Sequence, residues 1–175
     1  GSGAMYYLKE MIGEDKVNAA LRAFLEKFRY APPPYPVSLD AIDEFYAQAP
    51  DSLDYVVKDL FEDITLFENR CREASVKDLG NGKWEVTIQV ECRKLKADEL
   101  GKETEVPVSD YIEIGAFAKP VEGKKYGKTL HRQRVKINQK DNKFTFIVNE
   151  KPEKAGVDPF SLLVDRNPED NLKEL

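Results

Sequence analysis

The chain has 175 residues, 41% hydrophobic and 34% charged, with a net charge of −5: enough apolar content for a real core. Lysines and arginines are interspersed with 32 acids rather than gathered on a basic stretch, which speaks against nucleic acid as a partner. No apolar run approaches the ~20 residues of a membrane helix, so direct membrane insertion is not expected, and any anchor of a larger protein would lie outside this chain.

No secretory leader pattern opens the chain. Two cysteines, Cys71 and Cys92, are too few for a disulfide framework, which leaves the compartment open. Gly1-Ser2-Gly3 reads equally as a cloning remnant or a native start running into Ala4-Met5-Tyr6-Tyr7-Leu8.

Residues up to about Asn69 read as helices. Glu14-Asp15 puts negative charge at a helix start just after the breaker Gly13. Val17, Ala20, Leu21, Phe24, Leu25 and Phe28 recur at helical spacing until Pro32-Pro33-Pro34 forbids continuation. Ser38 is the expected cap of the next helix, with Leu39, Ile42, Phe45 and Tyr46 on one side and Pro50 as its stop. Ser52 is the expected cap of a fourth, with the stripe Leu53, Val56, Val57, Leu60 and Phe61.

From about Leu66 the period becomes two. Trp84, Val86, Ile88, Val90 and Cys92 alternate with Glu85, Thr87, Gln89 and Glu91, the pattern of a half-buried strand. Gly80-Asn81-Gly82 signals a hairpin, with Ala74 and Val76 on the incoming strand. A two-residue Asn81-Gly82 turn sets Cys71 opposite Cys92 but pairs Val76 with Thr87 and Ala74 with Gln89. A three-residue loop, Asn81–Lys83, pairs Val76 with Ile88 and Ala74 with Val90, and leaves the cysteines on opposite sides of the sheet. Hydrophobic matching favours the second, with both thiols free. Further strands are expected at Glu105–Val108 and Tyr111–Phe117, and a second hairpin joins His131–Ile137 to Lys143–Val148. The tail Asp165–Leu175 is polar, either loosely ordered or docked. The fold class expected is α+β: a helical segment, 1–66, followed by an immunoglobulin-like antiparallel β-sandwich, 67–175.

The chemistry is read mostly from what the chain lacks. A catalytic zinc takes three protein ligands, and H-E-x-x-H needs two histidines; this chain has His131 alone. His131 sits among Arg132 and Arg134 and reads as a solvent-facing strand residue rather than a catalytic base. Asp165-Arg166-Asn167-Pro168-Glu169-Asp170-Asn171 faintly echoes a calcium loop but lacks its glycine and terminal glutamate, so accidental acidity is the better reading. Lys94–Lys102, with Lys124 and Lys125, offers charge for an anion, yet Asp98, Glu99 and Glu103 interleave and a solvated loop is preferred. Glu62 and Asp63 carry no weight as a carboxylate pair in so acidic a chain. No catalytic, metal or cofactor-binding residue is therefore assigned.

The order and wording of several segments resemble the C-terminal part of bacterial proteins of the aminopeptidase N family of zinc peptidases, in the branch where the peptidase follows an ABC-transporter permease. Gly3-Ala4-Met5-Tyr6-Tyr7-Leu8-Lys9-Glu10-Met11-Ile12-Gly13 is similar to the helix after that family's catalytic tyrosine, and Asn18–Leu25 to the next. Tyr35-Pro36, Pro50–Tyr55 and Asp63–Leu66 resemble the end of the catalytic domain. Lys102–Pro107, Tyr111–Gly115 and Lys154–Pro159 resemble the trailing sandwich. The resemblance covers nearly the whole chain but none of the family's catalytic signatures, so it implies a piece that is not itself an enzyme, with zinc only in a full-length parent.

Two roles compete: a non-catalytic piece supporting an active site upstream, or an independent sandwich holding a peptide or partner by strand addition. On the first, the remainder of the peptidase domain is the natural partner of the helices. Without it, Phe24, Leu25, Phe28 and Met5–Ile12 are expected to lose apolar cover. A few hundred Å² at ~25 cal/mol per Å² amounts to about 5–10 kcal/mol, which favours a homodimer through the helical segment or a collapsed monomer.

Overall fold

The computed structural model describes residues 2–175; Gly1, the first of the Gly1-Ser2-Gly3 start, lies outside the described residues. The chain is α+β and divides into two compact units, Gly1–Thr65 and Leu66–Leu175.

The first unit is helical: α1 (Ser2–Ile12), α2 (Glu14–Phe28), α3 (Ser38–Gln48) and α4 (Asp54–Phe61). Gly13 separates α1 from α2 at φ 96°, a conformation that side chains with a Cβ resist. Leu8, Ala20, Val56 and Val57 form the driest part of this core, and Phe45 stacks on Phe61 at 5.4 Å. Neither expected serine cap forms. Ser38 is already helical, and the cap position is the extended Val37, whose N–H donates to Asp40 Oδ2 at 2.7 Å. Asp40 accepts the amide of the residue before the helix rather than a first-turn amide of the helix, so it supplies only the reciprocal half of a capping box. Ser52 lies within a 3-10 turn, Asp51–Leu53, that leads straight into α4 and satisfies Leu53 N–H with the Pro50 carbonyl.

Apolar cover in this unit differs from the expectation. Tyr7, Leu8, Met11 and Ile12 of α1 are buried rather than stranded. On α2 only Val17 and Ala20 are buried; Leu21 is 39% and Leu25 62% exposed, while Phe24 and Phe28 are half-buried with their rings 5.1 Å apart.

The second unit is built from two four-stranded sheets. One contains β1 (Ile64–Gly80), β2 (Lys83–Ala97), β3 (Glu103–Val106) and β6 (Asp141–Val148); the other runs in the order β5 (Thr129–Ile137), β4 (Asp110–Phe117), β7 (Lys154–Val157), β8 (Leu172–Glu174). The long β2 is the hub of its sheet. It pairs antiparallel with β6 from Trp84↔Val148 to Glu91↔Asp141, then with β3 from Lys94↔Val106 to Ala97↔Glu103. Its alternate residues Val86, Ile88, Val90 and Cys92 are buried as the period-two pattern requires. Ile112, Ile114 and Ala116 of β4 and Ala155 and Val157 of β7 are buried in the second sheet.

Three expectations for the strands are corrected. Asn81 and Gly82 alone separate β1 from β2, with φ of 55° and 72°, so the three-residue loop does not form. Asn-Gly is suited to a turn with two positive φ angles, and that local preference outweighs the apolar matching of Val76 and Ala74. β5 and β6 do not make a hairpin: β5 pairs with β4 (Asp110↔Ile137), β6 with β2, and the intervening residues cross between sheets. Third, β3 begins at Glu103 and ends at Val106, two residues earlier than expected.

The polar tail is docked. Asp165 makes a parallel bridge with Phe67 of β1, supported by Phe67 N–H to the Val164 carbonyl at 2.9 Å and Arg166 N–H to the Phe67 carbonyl at 3.1 Å. Farther on, β8 adds to β7, and Gly156 is required there: a Cβ on it would sit 1.9 Å from the Asn171 carbonyl oxygen.

Candidate functional site

The residues weighed for chemistry in the sequence are dispersed. His131 is half-buried rather than solvent-facing, with its ring stacked on Phe146 at 3.9 Å and its Nε2 3.2 Å from Gln133 Oε1. Burial holds its pKa below the usual histidine value, partly opposed by the Gln133 hydrogen bond. Lys94 belongs to no solvated loop: it is buried in β2, with Nζ 2.8 Å from Asp110 Oδ1. Glu62 and Asp63 both pair with Lys58, at 3.8 and 3.1 Å. Among the described residues, no three histidine, cysteine, aspartate or glutamate side chains gather as a metal centre.

Both cysteines are buried and free. Burial pushes the Cys92 thiol up to about 12 and the Cys71 thiol up to about 11. Neither thiolate is populated near neutrality, so native protein treated with an aromatic disulfide reagent should release almost no chromophore, and denatured protein two equivalents. Rapid reaction of one thiol without denaturant would show that β1 opens locally.

Asp158 is the buried carboxyl nearest to titrating at neutral pH. Its backbone sits at φ 40°, its N–H donates to the Glu113 carbonyl at 2.7 Å, and its two oxygens accept the Leu162 and Leu163 amides at 2.9 and 3.2 Å. Burial pushes it up to about 7 against the lowering effect of those amides, with Asp165 and Glu113 adding to the rise. Both oxygens are engaged by the turn they hold, which makes Asp158 a structural lock.

The arrangement that stands out lies between β1 and the docked tail: a polar cavity of about 280 Å³. Its charges neutralise one another. Arg93 bridges Glu68 at 2.5 Å and Glu105 at 2.6 Å, Arg166 bridges Glu68 at 3.2 Å and Glu103, Arg70 holds Asp170 at 2.9 Å, and Arg72 holds Glu91. The run Asp165–Asn171, discounted in the sequence as accidental acidity, forms one wall. Asp165 accepts from Asn69 N–H at 3.1 Å, Asn171 Nδ2 at 3.2 Å and Asn167 N–H at 2.9 Å.

Within this saturated network some polar atoms have no partner. Asn69 is 2% exposed, and neither its Oδ1 nor its Nδ2 is hydrogen-bonded; Asp170 Oδ1 and Asn171 Oδ1 are also buried and unpaired. Each unpaired buried group costs about 1–3 kcal/mol, which sets these four atoms apart from the paired groups around them. Asn69 carried no sequence signal, because it sits in the alternation of an ordinary strand.

Neither a scan of protein-family models nor a search of curated proteins finds a match to this chain.

Proposed function

We propose that the chain is the non-catalytic C-terminal part of a zinc aminopeptidase-like protein, from the branch joined to an ABC-transporter permease. Its helices would complete the wall of a peptidase-like domain, and its sandwich would support or border an active site carried by preceding residues. The resemblance of segments in both units favours this, and one structural observation carries it: α2 buries only Val17 and Ala20 while Leu21 and Leu25 face outward. A helix with such a face is suited to a neighbour. Zinc belongs to the parent in this reading. The residues here do not fit it, since the one histidine is stacked on Phe146 and no cluster of ligands gathers among the described residues.

The remainder of the peptidase domain is the natural partner of that face, and a second copy is its substitute when the chain is alone. Sedimentation should show a concentration-dependent homodimer that Leu25→Asp shifts towards monomer by about tenfold or more in Kd. A strictly monomeric chain that binds no hydrophobic dye would mean the helices are a complete domain. One tightly held zinc per chain, or turnover of an amino-acid anilide surviving repurification, would also overturn the reading.

A second reading, an independent sandwich module that binds a partner, is favoured by the unpaired carboxamide of Asn69 in the polar cavity.

A further inference from the structure

We infer that Asn69 of β1, with Asp165, Asp170 and Asn171 of the docked tail, forms a site for a hard divalent cation of the calcium type. The ion would brace the tail against β1, and the inference stands apart from both readings of the chain's role.

The tail's own bonds gather the four residues. One oxygen of Asp165, Oδ2, accepts both the Asn69 N–H at 3.1 Å and Asn171 Nδ2 at 3.2 Å. Asp170 ends the 3-10 turn that leads into Asn171, and its Oδ2 is held by Arg70 Nε at 2.9 Å and Asn167 Nδ2 at 3.1 Å. These bonds leave three oxygens over: Asn69 Oδ1, Asp170 Oδ1 and Asn171 Oδ1 are buried and unpaired. Asn69 and Asn171 are only 2% and 1% exposed, and Asn69 lines the polar cavity. Three unpaired acceptors against one unpaired donor, Asn69 Nδ2, suit a guest that accepts electron pairs.

Charge points the same way. Of the acids lining the cavity, Glu68, Glu91 and Asp170 are each paired with an arginine, whereas Asp165 is met only by amide donors. Glu103 and Glu105 bring further carboxylates to the same arginines. An anion would find those guanidiniums already held, while Asp165 still has no cation beside it. A calcium-type ion takes about six to eight oxygens, drawn from carboxylates, carboxamides and water. Two aspartates and two asparagines supply four, and the cavity of about 280 Å³ has room for waters that complete the shell. Zinc, which favours nitrogen and sulfur, is not matched by this set. Having only two charged ligands puts the dissociation constant at the weak end, on the order of 10⁻⁴–10⁻³ M.

The test is a calcium titration of the chelator-treated, isotope-labelled full chain, followed through the side-chain amides of Asn69 and Asn171. Both should shift saturably, with one ion per chain. Magnesium, which gives up its waters reluctantly, should bind at least about tenfold more weakly. Asn69→Asp adds a charged ligand and should tighten calcium binding about tenfold or more. Asn171→Asp is the second variant should the first not fold, with Trp84 fluorescence as the measure of folding. No shift at either asparagine, or shifts confined to exposed carboxylates, would overturn the site. Calcium affinity unchanged in a folded Asn69→Asp or Asn171→Asp would overturn it too. If slowly exchanging water protons lie beside Asn69 Nδ2 and calcium leaves them in place, the cavity is a hydration site and the inference is wrong.

Discussion

Lys94→Met should destabilise the sandwich by about 3–5 kcal/mol, because it leaves the Asp110 carboxylate buried without its ammonium. The side chains of Lys94 and Asp110 are 8% and 1% exposed, and their contact is 2.8 Å. Methionine keeps the apolar stem beside Phe67, over whose ring Nζ now lies at 5.6 Å, so the loss isolates the charge. The double variant Lys94→Met/Asp110→Leu should recover most of that stability, since neither charge then needs solvating. It will not recover all of it: Asp110 Oδ2 also accepts Ser109 N–H at 3.0 Å, worth about 1 kcal/mol. Urea unfolding followed by Trp84, the only tryptophan and part of β2, reads this unit selectively. Strictly additive single losses would show that the pair is not coupled.

Raising the pH from 4 to 7 should weaken the sandwich through Asp158, by about 3 kcal/mol. The sign follows from the direction of the shift. The folded carboxyl is pushed up to about 7 from an ordinary 3.8, so the folded state holds the proton more tightly than the unfolded chain. Its contribution is complete below about 3.8 and is lost as the pH rises through about 7. Glu105 titrates oppositely, held below the usual range by its hydrogen bond from Arg93. The readout is therefore the difference in slope between the wild type and Asp158→Asn. The variant loses one accepted amide and is less stable throughout, but it should lack this part of the slope. Parallel curves would mean that the Leu162 and Leu163 amides keep Asp158 ionised.

The helices and β2 were legible because each has a single dominant signal. The 3.6-residue stripe of α4 and the alternation from Val86 to Val90 both survive as burial patterns. What failed was pairing. His131–Ile137 and Lys143–Val148 are close in sequence and both strand-like, yet their partners, β4 and β2, lie in different sheets. Nothing in the connecting residues announces a corner. Lys94 misled for a related reason: a lysine near acids reads as solvated until Asp110, on another strand, appears beside it. The cavity was hidden most completely. Its two walls, β1 and the tail, lie 96 to 100 residues apart along the chain, and its diagnostic residue is an asparagine whose importance lies in bonds it does not make.

That separation also sets an order of events during synthesis. The outer edge of β1 is closed by Val164, Asp165 and Arg166, which leave the ribosome about a hundred residues after Phe67. At 5–20 residues per second, β1 waits roughly 5–20 s with one side unpaired, long enough to meet another nascent edge. Glu68, Arg70, Arg72 and Glu73 stand along the stretch that waits, and dense alternating charge is what discourages edge-to-edge association. The residues that later form the cavity's ion pairs thus protect the strand before its tail has been made.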